Sequence, residues 1–546
     1  MDLLTVLVFS VALTVAASTT IKIDPRVLDD AREQGTTDII VHMKESNLEK
    51  IRSHASSLRN ADHHKRSEEL YTDLKGYSDK VQRNVLQLLE KRKTPYMKVT
   101  QLWSVNRISV KNVTPETIKL LSEMSDVSAI REDRKFPIAK VFDLETVDNL
   151  EPTKNKNTGI NENVWNVDRT GASSMWSYYG NTGQNITVAN IDTGCRVSHI
   201  CLKDKYEEGC WNDPSGQSEI PEDLQGHGTH TMGTIVGSCG IGLAPGATFS
   251  VCRGCGTQSC TESDLLACGD WIIYPTNTKG IYMPQCRPDI VSNSWGGDPN
   301  DPFYMDQVAA WDSAGIMHVF SCGNSGPECG SVGSPGDYPS VTCAAATDSL
   351  DKLADFSSRG PGSYPMRDGG KPDIAAPGVS ILSAYNTSDT AGAYMSGTSM
   401  AAPHVVGMQV LMLRFIKGYI DSSKATPKCM GDLARAFIMK TAQPGNFNGT
   451  LDCDGVSDSD TPYNPFFGRG LGNVKDAYAR NITDIYSINT MWGQLWAVLL
   501  FVILACVTIM PLAEGGYRRR NRGYGHGGGG GGGRGWGWGW GWRGGK

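Results

Sequence analysis

Residues 394–407 read YMSGTSMAAPHVVG. The stretch sets a small hydroxyl, Ser399, between Gly397-Thr398 and an apolar helical run from Met400 to Ile416. A side chain at a helix N-terminus sits at the positive end of the backbone dipole, among amide donors without intrahelical partners. That location favours an anion forming on or beside Ser399. Pro403 is expected within the first turn, where a missing N–H costs little. Gly397 lets other backbone approach closely. Taken alone, the stretch also reads as a Gly/Ser turn capping a buried helix, so the decision rests on what else the chain supplies.

A serine hydroxyl needs a base to attack a carbonyl, and the base needs an orienting carboxylate. Residues 188–194 (VANIDTG) form a predicted strand ending in Asp192, at the C-terminal sheet edge where sites in parallel sheets gather. Residues 226–230 (GHGTH) hold His227 between glycines at a helix start. Residues 319–326 (VFSCGNSG) lead a strand into Asn324, an amide suited to donate to an oxyanion. Each motif is modest alone, since DTG also makes turns and GHG also holds structural histidines. In the order Asp, His, Asn, Ser, the four resemble the signatures of the subtilisin family of serine endopeptidases: IDTG, HGTHTMGT, SCGNSG and GTSMAAPHVVG. The resemblance covers residues 164–477.

That resemblance implies roles. Ser399 is the nucleophile, His227 the general base and then acid, and Asp192 the orienting carboxylate. Asn324 and the Ser399 backbone N–H bind the oxyanion. Ser294-Trp295-Gly296-Gly297 resembles the family's substrate-pairing strand, with Trp295 adding apolar area to the pocket and Gly323 on its opposite wall. Such pairing reads main chain more than sequence, so the implied substrates are proteins or peptides. No acidic pair marks the pocket, which disfavours strict basic specificity, although Asp298 keeps that open. His199, His230 and His404 read as packing residues. No cofactor is required and no metal ligands are derived. Residues 235–245 are too short for the strong calcium site of many bacterial relatives, and calcium elsewhere is the open alternative.

Upstream, strands at 38–44, 96–103, 107–113 and 127–131 are predicted around an amphipathic helix at 64–93 and a Thr114-Pro115-capped helix ending near Met124. The β-α-β-β-α-β order is ferredoxin-like and resembles the family's I9-type inhibitory propeptide, an intramolecular chaperone and inhibitor. Residues 136–162, charged and carrying Pro137 and Pro152, are expected to be a mobile linker and activation region. Beyond them, short apolar strands alternate with helical stretches, which predicts an α/β fold with a parallel sheet flanked by helices.

Composition sets the surroundings. Of 546 residues, the last 33 carry +6, so a net charge of −6 leaves −12 on residues 1–513, and no nucleic-acid partner is expected. Residues 1–17 read as a signal peptide. Fourteen of fifteen cysteines fall between Cys195 and Cys453, an even number that suggests disulfides in an exported domain. The cluster Cys252, Cys255, Cys260 and Cys268 reads as bridges before zinc. Sequons at Asn112, Asn185, Asn386, Asn448 and Asn481 agree with a glycoprotein. Residues 491–512 form an apolar run long enough to cross a bilayer, and Arg518-Arg519-Arg520 place the C-terminal residues in the cytoplasm.

The chain therefore reads as a self-processing zymogen held to a membrane through one span. Its expected parts are a signal (1–17), a propeptide (18–135), the linker (136–162), a peptidase domain (163–477), a juxtamembrane segment (478–490), the span (491–512) and a basic Gly/Trp-rich cytoplasmic tail (513–546) whose composition cannot form a core. An interaction protein on an inactive protease scaffold is the rival from another class; the four intact signatures oppose it.

Overall fold

In the computed structural model, the described residues are 22–479 apart from 48, 52, 54–62, 139, 151–163, 366–369, 420–426, 447–452 and 454–463. The expected signal, the span and the tail lie outside them.

Asp24 accepts from the Arg26 N–H and, with Pro25 in the first turn, starts helix α1 (Pro25–Gln34), which Gly35 ends at φ +82°. Strands β1 (Thr37–Met43), β2 (Lys98–Leu102), β3 (Arg107–Val113) and β4 (Val127–Glu132) form an antiparallel sheet in the order β2-β3-β1-β4. The long predicted helix is two helices, α2 (His63–Val81) and α3 (Arg83–Lys91). They part at buried Gln82, whose amide turns to Asn106 (3.0 Å) and the Arg107 carbonyl (3.3 Å). Helix α4 (Pro115–Glu123) starts where Thr114 accepts from the Thr117 N–H. The strand period of two splits β1. Ile39 and Val41 pack with Val85, Leu89, Ile118 and Leu121, whereas Ile40 joins a cluster shared with Leu265, Leu266 and Tyr304 of the larger layer.

Residues 135–147, expected to be irregular, instead contain two strands. Strand β5 (Lys135–Pro137) and strand β6 (Phe142–Val147) have their partners far along the chain. Strand β5 is three residues long and β6 is largely exposed, so neither carries the sustained apolar run that marks a buried strand.

The larger layer is a seven-stranded parallel sheet. Its strands are β7 (Thr187–Asp192), β8 (Tyr206–Asn212), β9 (Thr248–Arg253), β11 (Ile290–Asn293), β12 (Met317–Ser321), β13 (Thr342–Thr347) and β14 (Ile374–Pro377). The order is β14-β13-β12-β11-β7-β9-β8. Val188, Val251, Val291, Phe320 and Ala345 are all buried, as expected of a parallel sheet covered on both faces. Its neighbours are α5 (His227–Val236), α6 (Glu262–Ile273), α7 (Met305–Ala314), α8 (Thr398–Tyr419) and α9 (Pro427–Lys440). Short β10 (Ser259–Thr261) pairs with β5; β15 (Ile381–Ala384), β16 (Gly392–Ser396) and β6 form a further sheet.

Helix α8 is long and apolar enough to cross a membrane, yet it is 94% buried in the protein. Because α8 begins at Thr398, Pro403 lies inside the helix and not in its first turn. Proline removes the N–H that would bond the carbonyl four residues earlier, that of Ser399. The Ser294 hydroxyl takes that carbonyl instead, at 3.0 Å.

Among the described residues, six disulfides join Cys201–Cys239, Cys210–Cys286, Cys252–Cys268, Cys255–Cys260, Cys322–Cys343 and Cys329–Cys453. The clustered cysteines at 252–268 are bridged to one another. Cys195 departs from the expected even pairing, being a buried free thiol.

Candidate active site

Strand β7 delivers Asp192 to the sheet's C-terminal edge, where it is 2% exposed. One carboxylate oxygen accepts from the Thr193 N–H at 2.7 Å and lies 2.8 Å from His227 Nδ1. The loop before His227 is fixed by Asp223. Its carboxylate accepts from the backbone N–H of Gln225, Gly226 and Thr229 and from the hydroxyls of Thr193 and Thr229.

Both glycines around His227 are required sterically. Gly226 has φ +100°, and a Cβ there would meet the Tyr385 ring at 2.3 Å. A Cβ on Gly228 would stand 2.1 Å from the Gly194 carbonyl oxygen and 3.2 Å from Asp192 Cβ. The nearest obstacle is backbone, so it cannot swing aside. Gly228→Ala is therefore expected to cost about 1–3 kcal/mol, at roughly 2–4 °C of Tm per kcal/mol for a domain of this size class. Thermal unfolding in a Ser399→Ala background checks this; an unchanged Tm contradicts it.

The imidazole of His227 is wholly buried. Burial pulls its pKa down, but the charge and hydrogen bond of Asp192, with the charge of Asp223, outweigh that and raise it above the ordinary 6.5. Its second nitrogen, Nε2, is buried and makes no hydrogen bond among the described residues. An unsatisfied buried polar atom costs about 1–3 kcal/mol and calls for an explanation.

Ser399 lies in the first turn of α8, fully buried. Its hydroxyl donates to the Ser294 carbonyl at 3.3 Å, while the Ser294 hydroxyl donates to the Ser399 carbonyl. The serine is thus clamped to the strand end at Ser294, and the Ser–His hydrogen bond is not formed. Asn324 follows β12, and the bridge Cys322–Cys343 ties this segment to β13. Its Oδ1 accepts from the Thr398 N–H (2.9 Å) and hydroxyl (2.7 Å), which directs Nδ2 outward as a donor. Gly323, at φ +104°, donates its N–H to the Thr398 hydroxyl at 3.2 Å. Asp192, Ser294, Gly323 and Asn324 lie at the C-terminal ends of β7, β11 and β12, and His227 and Ser399 at the starts of α5 and α8.

A profile of the subtilase family matches residues 183–470. The chain belongs to the subtilase family. It is 32% identical over 465 residues to Bacillopeptidase F of Bacillus subtilis (strain 168), a match spanning 80% of this chain and 30% of that protein's length. It is 31% identical over 273 residues to the major intracellular serine protease of the same organism, covering 48% of this chain and 78% of that one. An intracellular serine protease of Paenibacillus polymyxa is 29% identical over 291 residues, 51% and 81% of the two chains.

The cleft of this subtilase differs from expectation in two ways. Trp295 does not add its ring to the pocket wall. It is 2% exposed and packs edge-on against Tyr304 (5.1 Å) and Phe320 (5.3 Å) in the core. The strand that pairs with residues 135–137 is β10, a segment the sequence did not mark. Residues 135–137 lie antiparallel to Ser259–Thr261, and Gly297 takes part through its open space, since a Cβ there would meet the Phe136 ring at 2.9 Å. Gly296 is likewise pressed on the Ser334 carbonyl, at 3.0 Å from a Cβ. The buried His199, His230 and His404 are each held by hydrogen bonds away from the Asp192–His227 pair. His230 binds the Ile381 and Ala393 carbonyls and burial drops it to about 3; His404 lies between the Met400 carbonyl and Asn166 and drops to about 4; His199 binds the Ala391 carbonyl.

Proposed function

We propose that this subtilase is a serine endopeptidase in which Ser399 attacks peptide carbonyls, His227 relays the proton and Asp192 orients the imidazole. The observation that carries the reading is the buried 2.8 Å contact of Asp192 with His227 Nδ1 beside an Nε2 that has no other partner among the described residues. Rotation of the Ser399 hydroxyl from the Ser294 carbonyl to Nε2 completes the relay, and catalytic hydrogen bonds commonly tighten only with substrate in place. Asn324 Nδ2 and the Ser399 N–H receive the oxyanion, and these side chains need no cofactor for that chemistry. The substrates are extended protein or peptide segments read mainly through main-chain pairing.

The antiparallel unit at residues 22–132 serves as propeptide, chaperone and inhibitor. Its docking on α6 and α7 supports this: the buried Asp270 carboxylate accepts the Trp103 (2.8 Å) and Ser104 (3.1 Å) N–H groups, and Arg107 donates to the Phe303 carbonyl. The protease is exported and anchored by residues 491–512, a reading supported by that apolar run, by the leader-like start and by the disulfides, which persist in oxidising compartments.

Hydrolysis of a denatured protein mixture by the processed chain tests the function: peptides are expected from wild type and none above background from His227→Ala, and equal products would overturn it. Asn324→Ala is expected to lower kcat by about 10²–10³-fold, the cost of one oxyanion donor measured in a bacterial subtilisin. The pH profile supplies a further check. His227 acts as a base only when neutral, and its raised pKa keeps it protonated to higher pH. The acidic limb of kcat/KM is therefore expected above 6.5, with activity lost as pH falls through it.

A further inference from the structure

Residues 134–138 and 140–147 flank the proposed catalytic centre, and their contacts single out one peptide bond. Upstream, Arg134 bonds Glu262 (2.7 Å) and Asp301 (2.5 Å), and Phe136 stacks on Phe303 at 4.7 Å. Strand β5 then pairs with β10, extended by the Ile138 N–H to the Gln258 carbonyl at 3.3 Å. Downstream, Phe142 is in register with Ser396, Glu145 with Tyr394 and Val147 with Gly392, so the chain leaves along β16. Ser396 is three residues before Ser399. Phe142 stacks on Phe356 at 4.7 Å, and Val141 packs against the cluster containing Met395 and Met400, the latter adjacent to Ser399. Between the two strands, Asn324 Nδ2 donates to the Lys140 carbonyl oxygen at 2.8 Å.

We propose that Lys140–Val141 is the bond this chain cuts in itself, an inference that rests on the protease reading above. The carbonyl held by the oxyanion donor is the one whose carbon is presented for attack. Ser399 Oγ bonds to the Lys140 carbonyl carbon and gives its proton to His227 Nε2. The Lys140–Val141 C–N bond breaks and the Val141 nitrogen takes that proton. Water then hydrolyses the ester, releasing a Lys140 carboxylate and restoring Ser399. After the cut, β5 still occupies the edge of β10, which leaves the new C-terminus in the cleft as a product inhibitor.

The lysine side chain does not select the bond. Lys140 is exposed, with its ammonium 4.9 Å from the centre of the nearby Phe142 ring. Selection comes instead from the two flanking strands, Phe136 and Val141. Cleavage after residue 140 is thus expected to survive Lys140→Ala at the same position, which a lysine-directed outside protease would not permit.

The test is a time course on the full-length chain, purified without other proteases, with product termini read by mass spectrometry. The first new N-terminus is expected at Val141, paired with a fragment ending at residue 140, in wild type and in Lys140→Ala. Ser399→Ala is expected to stay intact, and Asn324→Ala to process about 10²–10³-fold more slowly. A first cut elsewhere that still requires Ser399, or an uncut chain that hydrolyses added protein, overturns the bond assignment and leaves the protease reading intact. Equal processing of wild type and Ser399→Ala overturns both.

Discussion

Ser399→Ala is expected to abolish peptide hydrolysis while leaving the fold in place. The loss should be on the order of 10⁶-fold in kcat, the figure known for loss of the nucleophile in a bacterial subtilisin. The hydroxyl is the one group at this site that both heads a buried helix and bonds a neighbouring carbonyl rather than a permanent side-chain partner. Replacing it removes a 3.3 Å contact to the Ser294 carbonyl, whereas the reverse bond, from the Ser294 hydroxyl, ends on the Ser399 backbone carbonyl and survives. Far-UV circular dichroism should show the same secondary structure as wild type although the variant stays uncut, and turnover of a denatured protein substrate should not exceed background. Residual hydrolysis within tenfold of wild type would contradict the assignment of the nucleophile.

Asp192→Asn is expected to cost about 10⁴-fold, as the equivalent change does in the serine-protease triad. The amide fits the same space and keeps an oxygen for the Thr193 N–H, so the fold is retained. The substitution removes the negative charge that raises His227 against the downward pull of burial. It therefore changes two readouts at once. The rate falls, because imidazolium formed during attack is no longer stabilised. The acidic limb of the residual activity moves to lower pH, because burial then acts on His227 with less opposition. A fall in rate with an unmoved limb would mean that Asp192 acts only as a structural support.

The four motifs were legible because each is local: a strand end, a glycine-flanked histidine, a turn and a helix start are written in contiguous residues. Gly226 and Gly228 show why, since neither the positive φ at one nor the Gly194 carbonyl pressed on the other admits a side chain. The parallel sheet was legible for the same reason, through its apolar runs. Pairing at a distance escaped. Residues 135–147 carry no sustained apolar periodicity, and their partners, Ser259–Thr261 and Gly392–Ser396, are remote in the chain. Trp295 was misplaced because a strand's alternation does not say which face is the cleft. Pro403 was misplaced because the helix begins one residue before Ser399, and only the Ser294 hydroxyl on the Ser399 carbonyl reveals how the missing N–H is compensated. Cys195 stayed unpaired although the cysteine count was even, a matter of geometry that no count contains.

The most direct measurement is covalent labelling of the processed chain with a fluorophosphonate, with mass-spectrometric mapping of the adduct. A single adduct is expected on Ser399 of the self-processed wild type, and none in Ser399→Ala, which stays uncut. A folded, processed chain that takes no label, or takes it on another residue, would contradict the account.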